Sequence, residues 1–162
     1  MMKFFNQIKK YDWFRNTIFI ITADHTSPVQ KNDKYKNSIG RYAIPLIIFK
    51  GDSSLVGYNN TIVQQIDIMP TVLDLINYKE AYFSFGKSVF SEESWAIHNI
   101  SGKYRLITDN GIIVNKQEKY LLYKDYNLTE EADIDSSDIR LLQAIKQIYS
   151  SRMLYNNLIY EN

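Results

Sequence analysis

Asp24 and His25 are neighbours, and together they offer one hard carboxylate oxygen and one imidazole nitrogen, a pair suited to a divalent metal ion. Their position sharpens that reading. They close the tetrapeptide Thr22-Ala23-Asp24-His25, which follows directly on Thr17-Ile18-Phe19-Ile20-Ile21, a β-branched and apolar run. Such a run predicts a strand over 17–23 buried on both faces, as at the centre of a parallel sheet. Ligands of open α/β sheets bind beyond the carboxyl ends of strands, so Asp24 and His25 stand where such folds place their chemistry. Without its neighbours the same pair reads as a turn aspartate beside a half-exposed histidine.

The elements that must position the pair are legible on either side. Met2, Phe5 and Ile8 recur at helical spacing and predict an amphipathic helix over 2–11, with Lys9-Lys10 on its solvated face. A long polar connection over 26–42 carries Pro28, Asn32, Asp33, Asn37, Ser38 and Gly40. Connections of this length within a domain are commonly functional or disordered. Tyr35, Asn37, Arg41 and Tyr42 in it are candidates to border a substrate site, Arg41 by gripping phosphate, with loop anchoring as the plainer role. Ile44-Pro45-Leu46-Ile47-Ile48-Phe49 predicts a second strand, its proline near the first position. Residues 67–76 predict a helix with Asp67 as N-cap, Pro70 in the first turn, and a buried stripe of Ile68, Val72, Leu73 and Ile76.

After residue 90 the pattern changes. Trp95–Ile100, Tyr104–Thr108, Ile112–Asn115 and Tyr120–Tyr123 are short strand-like runs, punctuated by Ser101-Gly102 and the hairpin signal Asp109-Asn110-Gly111. They predict a small antiparallel meander, in which His98 reads as a surface or core-edge histidine. A final helix is expected over 138–159, capped by Ser136 or Ser137, with a stripe of Ile139, Leu142, Ile145, Ile148 or Tyr149, and Met153.

Composition narrows the function classes. A formal charge of +1 gives no long-range field for nucleic acid or an anionic membrane. The absence of cysteine excludes disulfides, thiolate metal sites and a cysteine nucleophile in this chain. No segment has the run of about 20 apolar residues that spans a bilayer, and Met1-Met2-Lys3 leads into an amphipathic pattern, not a signal peptide.

Three segments together carry a family resemblance. Trp13 to Thr26, with its Thr22-Ala23-Asp24-His25, is similar to the metal-binding strand of the sulfatase-like branch of the alkaline phosphatase superfamily. Tyr35-Lys36-Asn37-Ser38-Ile39-Gly40-Arg41-Tyr42, leading into Ile44 to Phe49, continues the likeness. Asp67-Ile68-Met69-Pro70-Thr71-Val72-Leu73 resembles the Asp-x-x-Pro-Thr-x-Leu helix start of those proteins. Over roughly residues 1–90 the set most resembles the lipoteichoic acid synthase-like phosphoglycerol transferases.

The resemblance implies the C-terminal portion of an alkaline-phosphatase-like α/β sandwich, a mostly parallel sheet with helices. A small antiparallel meander and a C-terminal helix would follow. Residues 1–92 would be the partial α/β domain and 93–162 the small antiparallel subdomain. It implies Asp24 and His25 as metal ligands, with manganese first and zinc, magnesium or calcium as alternatives, and a phosphate- or sulfate-ester substrate. A glutamate and a nucleophilic threonine, both earlier in the family's chain, would complete the site. Neither has a counterpart in this sequence, so no catalytic residue is assigned and the chain reads as a fragment, inactive alone and holding metal weakly or not at all. The parent would be anchored in the cytoplasmic membrane, with its catalytic domain on the outer face or in the periplasm. Two other readings stand beside it. One is a fragment of a sulfatase using calcium, which Asp-His-Thr in place of Asp-His-Gly disfavours. The other is a non-catalytic binding module that forms a homo-oligomer through an exposed sheet edge.

Overall fold

Phe19 and Phe49 stack face to face, with ring centroids 4.9 Å apart, and the first part of the fold is built around them. The computed structural model describes residues 1–29, 31–117 and 119–158. They divide into two compact units, Met1–Asn59 and Asn60–Asn162. In the first unit, helix α1 (Met2–Ile8) and a 3-10 turn (Asp12–Asn16) lead into strand β1 (Ile18–Thr22). Two further 3-10 turns, Asp33–Tyr35 and Gly40–Tyr42, precede strand β2 (Leu46–Lys50). Phe5 of α1 sets its ring edge-on against both Phe19 and Phe49, at 5.4 and 5.3 Å, and Phe14 meets Phe19 at 5.2 Å. This aromatic cluster is why a short helix with no side-chain cap holds to the strand pair.

Two expectations change here. The helix stops at Ile8, because the Tyr11 N–H closes onto the Ile8 carbonyl in a tighter three-residue turn, which leaves Tyr11 exposed. β1 pairs with β2 antiparallel, Phe19 opposite Phe49 and Thr22 opposite Leu46, and Ile47 remains 48% exposed. Nor is β1 buried on both faces: Ile18 to Ile21 are half-buried and Thr22 is exposed, because among the described residues each strand has one partner.

The second unit begins with a 3-10 turn (Gln65–Asp67) continuing into α2 (Ile68–Leu75). A five-stranded antiparallel sheet follows: β3 (Trp95–Ile100), β4 (Lys103–Thr108), β5 (Gly111–Lys116), β6 (Lys119–Tyr123) and β7 (Glu131–Ala132), neighbours in chain order. The predicted meander is present in its predicted places, with β7 added; two residues are too few to show alternation. Ser101 and Gly102 join β3 to β4 with φ of 53° and 75°, the left-handed pair that a two-residue hairpin turn requires. Ile97, Leu106, Ile113, Leu122 and Ala132 stand opposite one another in one row across the sheet. That row, with Trp95, packs on Leu142 of α3 (Ser136–Leu154).

α3 is capped by Asp135, whose carboxylate accepts from the Ser137 N–H at 2.6 Å, in place of the serines expected. It ends at Leu154; position 159, in the expected range, lies outside the described residues. Of its expected stripe, Leu142 is in the core, Ile145 packs against that core, and Ile139 is half-buried. Beyond that Ile148 and Met153 are about half exposed, while Tyr149 meets Phe85 at 5.3 Å and Arg152 covers the Phe83 ring at 4.4 Å.

Of the expected α2 stripe, Ile68, Val72 and Leu73 are half-buried, and polar groups that the apolar spacing did not indicate lie deeper. Asp67, Pro70 and Thr71 face inward, while Ile76 is 55% exposed. Asp67 makes no side-chain cap bond to α2. Its carboxylate turns back to accept from the Gln64 N–H at 2.9 Å and from Lys87, whose backbone N–H donates at 2.9 Å and whose Nζ donates at 3.1 Å. Lys87 Nζ also donates to the Trp95 carbonyl at 2.8 Å and lies 4.6 Å from the Trp95 ring centroid. Thr71 Oγ1 donates to the Asp67 carbonyl and accepts from the Val89 N–H. A fully buried carboxylate is tolerated because its oxygens are all engaged and a cation neutralises it.

Candidate metal centre

β1 ends at Thr22, whose hydroxyl donates to the Pro45 carbonyl at 2.9 Å and ties the strand end to the segment entering β2. Asp24 and His25 come immediately after this fixed point, as the sequence placed them. Asp24 Oδ1 accepts from the His25 N–H at 2.9 Å, which orients the carboxylate. His25 Nδ1 lies 2.8 Å from the Thr26 carbonyl oxygen. A carbonyl can only accept, so Nδ1 carries the proton and the neutral ring keeps its lone pair on Nε2. Nε2 in turn stands 3.5 Å from Asp24 Oδ2.

Nε2 and Oδ2 therefore face each other at a spacing that either a proton on Nε2 or a bound cation makes favourable. The spacing fits one ion. Ligand atoms about 2.1 Å from a metal and separated by tetrahedral or octahedral angles are roughly 3.0–3.5 Å apart. Both side chains are open to solvent, His25 at 59% and Asp24 at 86% exposure. Among the described residues no group of three or more His, Asp or Glu side chains is placed to hold a metal, so the pair offers two protein ligands.

Polar side chains of the 26–42 connection bond within it at the described positions. Thr26 donates twice to the Arg41 carbonyl, from its N–H at 3.1 Å and from Oγ1 at 2.9 Å. Asn37 Oδ1 accepts from the N–H groups of Ile39 and Gly40, and Asn37 Nδ2 donates to the Lys34 carbonyl. Gly40 packs so closely that a Cβ there would lie 1.8 Å from the Lys34 oxygen. These bonds bring the Arg41 backbone next to Thr26, one residue from His25. The Arg41 guanidinium lies over the Tyr42 ring, 5.7 Å from its centroid. Asn37 is thus a loop anchor, and Thr26 is a site neighbour whose residue type gives no signal of that place in the sequence.

Asp67 and His98 belong to the second unit. His98 sits opposite Arg105 across β3 and β4. Burial first, and the Arg105 charge second, push its pKa down from 6.5 to about 4. The unfolded chain then takes up the proton before the folded one. His98 stabilises the fold fully above about 6.5, and that contribution is lost as pH falls from there through about 4. His98→Gln is expected to flatten this part of the acid limb. Urea midpoints at pH 7 and pH 5 that differ equally in both proteins would remove His98 from the acid response.

Comparison with known proteins gives the pair a context. The family model described as Sulfatase matches residues 1–78. The chain is 25% identical over 170 residues to lipoteichoic acid synthase of Staphylococcus aureus, covering 97% of this chain and 25% of that protein. It is 24% identical over 136 residues to phosphoglycerol transferase I of Citrobacter koseri, covering 82% of this chain and 17% of that protein. Among solved structures, a protein in the alkaline phosphatase superfamily from Vibrio parahaemolyticus superposes with a TM-score of 0.78 at 23% identity, over 98% of this chain and 40% of that one. The chain thus spans a quarter or less of the curated relatives' length.

Proposed function

We propose that this chain, a sulfatase-like member of the alkaline phosphatase superfamily related to phosphoglycerol transferases, forms part of a metal-dependent catalytic domain that acts on phosphate esters. The reaction is phosphoglycerol transfer, or a related phosphodiester or phosphomonoester hydrolysis. Residues 1–92 belong to the α/β catalytic domain and 93–162 to its small antiparallel subdomain. Asp24 and His25 supply two ligands of a divalent metal, manganese in the first instance, and Arg41 serves the substrate phosphate. When bound, the metal polarises a phosphoryl oxygen and lowers the pKa of an attacking hydroxyl. Asp24 supplies the anionic oxygen and His25 the neutral nitrogen, each pre-aimed by a bond to the adjoining backbone. The observation that carries the reading is the convergence of His25 Nε2 and Asp24 Oδ2 just beyond β1.

The remaining ligand and the nucleophile are assigned to polypeptide outside this sequence, so the chain by itself is expected to be inactive. The whole protein is placed at the outer face of the cytoplasmic membrane or in the periplasm. No helix among the described residues is long and apolar enough to cross a membrane. The Sulfatase family match keeps sulfate-ester hydrolysis as a second reading. The two differ in the missing nucleophile, a threonine for phosphoglycerol transfer and a modified cysteine or serine for a sulfatase.

The chain has two histidines, which makes the metal directly testable. Manganese titrated into the full chain should broaden the His25 ring signals in NMR spectra and spare those of His98. Asp24→Ala should weaken the effect at least tenfold. Equal broadening of both rings, or broadening of His98 alone, would remove the metal reading. Added manganese with a nitrophenyl phosphodiester should give no turnover. Turnover that vanishes in Asp24→Ala would show that the chain needs no further polypeptide for catalysis.

A further inference from the structure

We propose that Thr26 is the positioning residue of this centre, its hydroxyl holding His25 in the tautomer and orientation that present Nε2 to the metal. The inference rests on the metal reading above and adds to it the part that sets the ligand's geometry. His25 Nδ1 is held by the Thr26 carbonyl at 2.8 Å. That carbonyl is useful as an anchor only if Thr26 itself is held in place, and residues 24–26 lie outside any helix or strand. The fixing comes from the far end of the connection. Thr26 N–H and Oγ1 both donate to one acceptor, the Arg41 carbonyl. One bond would act as a hinge, whereas two from different atoms of the same residue also fix its rotation.

The Arg41 carbonyl is itself held in place. Arg41 N–H donates to the Asn37 carbonyl at 3.2 Å, the Asn37 side chain ties down the N–H groups of Ile39 and Gly40, and Gly40 is buried against Lys34. A rigid turn thus braces Thr26, and Thr26 braces His25. Partners of this kind, one bond removed from a metal, typically change its affinity 10- to 100-fold when lost. The same two bonds tie the backbone of Arg41, the proposed phosphate-binding residue, to the residue that orients the metal ligand.

The test uses the full chain with manganese as the probe. Thr26→Val keeps the shape and removes the hydroxyl, and Thr26→Ser restores it. The apparent manganese affinity, read from broadening of the His25 ring signals, should fall about tenfold in Thr26→Val and return to within twofold of the parent in Thr26→Ser. Nitrogen-15 shifts of His25 without metal should report a protonated Nδ1 in the parent and a mixture of tautomers in Thr26→Val. Thr26→Val with unchanged affinity and tautomer, where Asp24→Ala still loses binding, overturns the role of Thr26 and leaves the metal reading standing. Where the parent binds too weakly to titrate, the tautomer decides alone, and a parent and Thr26→Val with the same tautomer mixture overturn the role of Thr26. The parent's tautomer needs no variant to fold, and a protonated Nε2 there would refute the inference by itself.

Discussion

Lys87→Met is expected to lower the unfolding free energy of the second unit by about 3–5 kcal/mol, the range for removing one partner of a buried ion pair. Lys87 Nζ is 3.1 Å from Asp67 Oδ2, and the two side chains are 6% and 0% exposed. Methionine fills similar space, so the loss reports charge and not volume. It strands the Asp67 carboxylate in the interior with two backbone N–H donors, those of Gln64 and Lys87, and no cation. The Trp95 carbonyl also loses its donor. Urea unfolding measures the effect. Adding Asp67→Asn to Lys87→Met should recover a substantial part of the loss, because the stranded charge is removed with its partner. A single-variant cost under about 1 kcal/mol would place the pair with surface salt bridges.

Leu142→Ala should cost about 2–5 kcal/mol. Leu142 is fully buried against Trp95, Leu106, Ile113 and Leu122, and it is the fully buried side chain through which α3 covers the sheet. Truncation removes the apolar contacts and leaves a cavity between a helix and a sheet, neither of which can easily close it. The comparison is Met153→Ala on the same helix. Met153 was expected in the stripe but is 50% exposed, and its loss should change stability by no more than about 0.5 kcal/mol. Equal effects at the two positions in urea unfolding would mean that α3 is not anchored through Leu142.

Both variants lie outside the candidate centre, and they separate what was legible from what was not. The meander could be read because β-branched and aromatic runs alternate with turn residues, a local signal: four strands and the Ser101-Gly102 and Asp109-Asn110 turns stand where the sequence put them. The end of β1 could be read for the same reason, and with it the position of Asp24 and His25. The α2 stripe was only partly legible: Ile68, Val72 and Leu73 are half-buried, but Ile76 is exposed and Asp67 and Thr71 lie deeper, which hydrophobic spacing cannot find. Asp67 is tolerated there because Lys87, twenty residues on, satisfies the carboxylate.

The sequence by itself determined the family resemblance, the α/β class, the strand that delivers Asp24 and His25, and the two donor types they bring. These follow from residue chemistry and short-range periodicity, which act over a few positions of chain. The tertiary structure alone decided that β2 runs antiparallel to β1, that Asp67 is buried on Lys87, that His25 Nδ1 meets the Thr26 carbonyl, and that Thr26 hangs on the Arg41 carbonyl. Each of these depends on groups far apart in the chain, or on the orientation of one peptide plane. Chain closure fixes both, and no spacing pattern in the sequence encodes either.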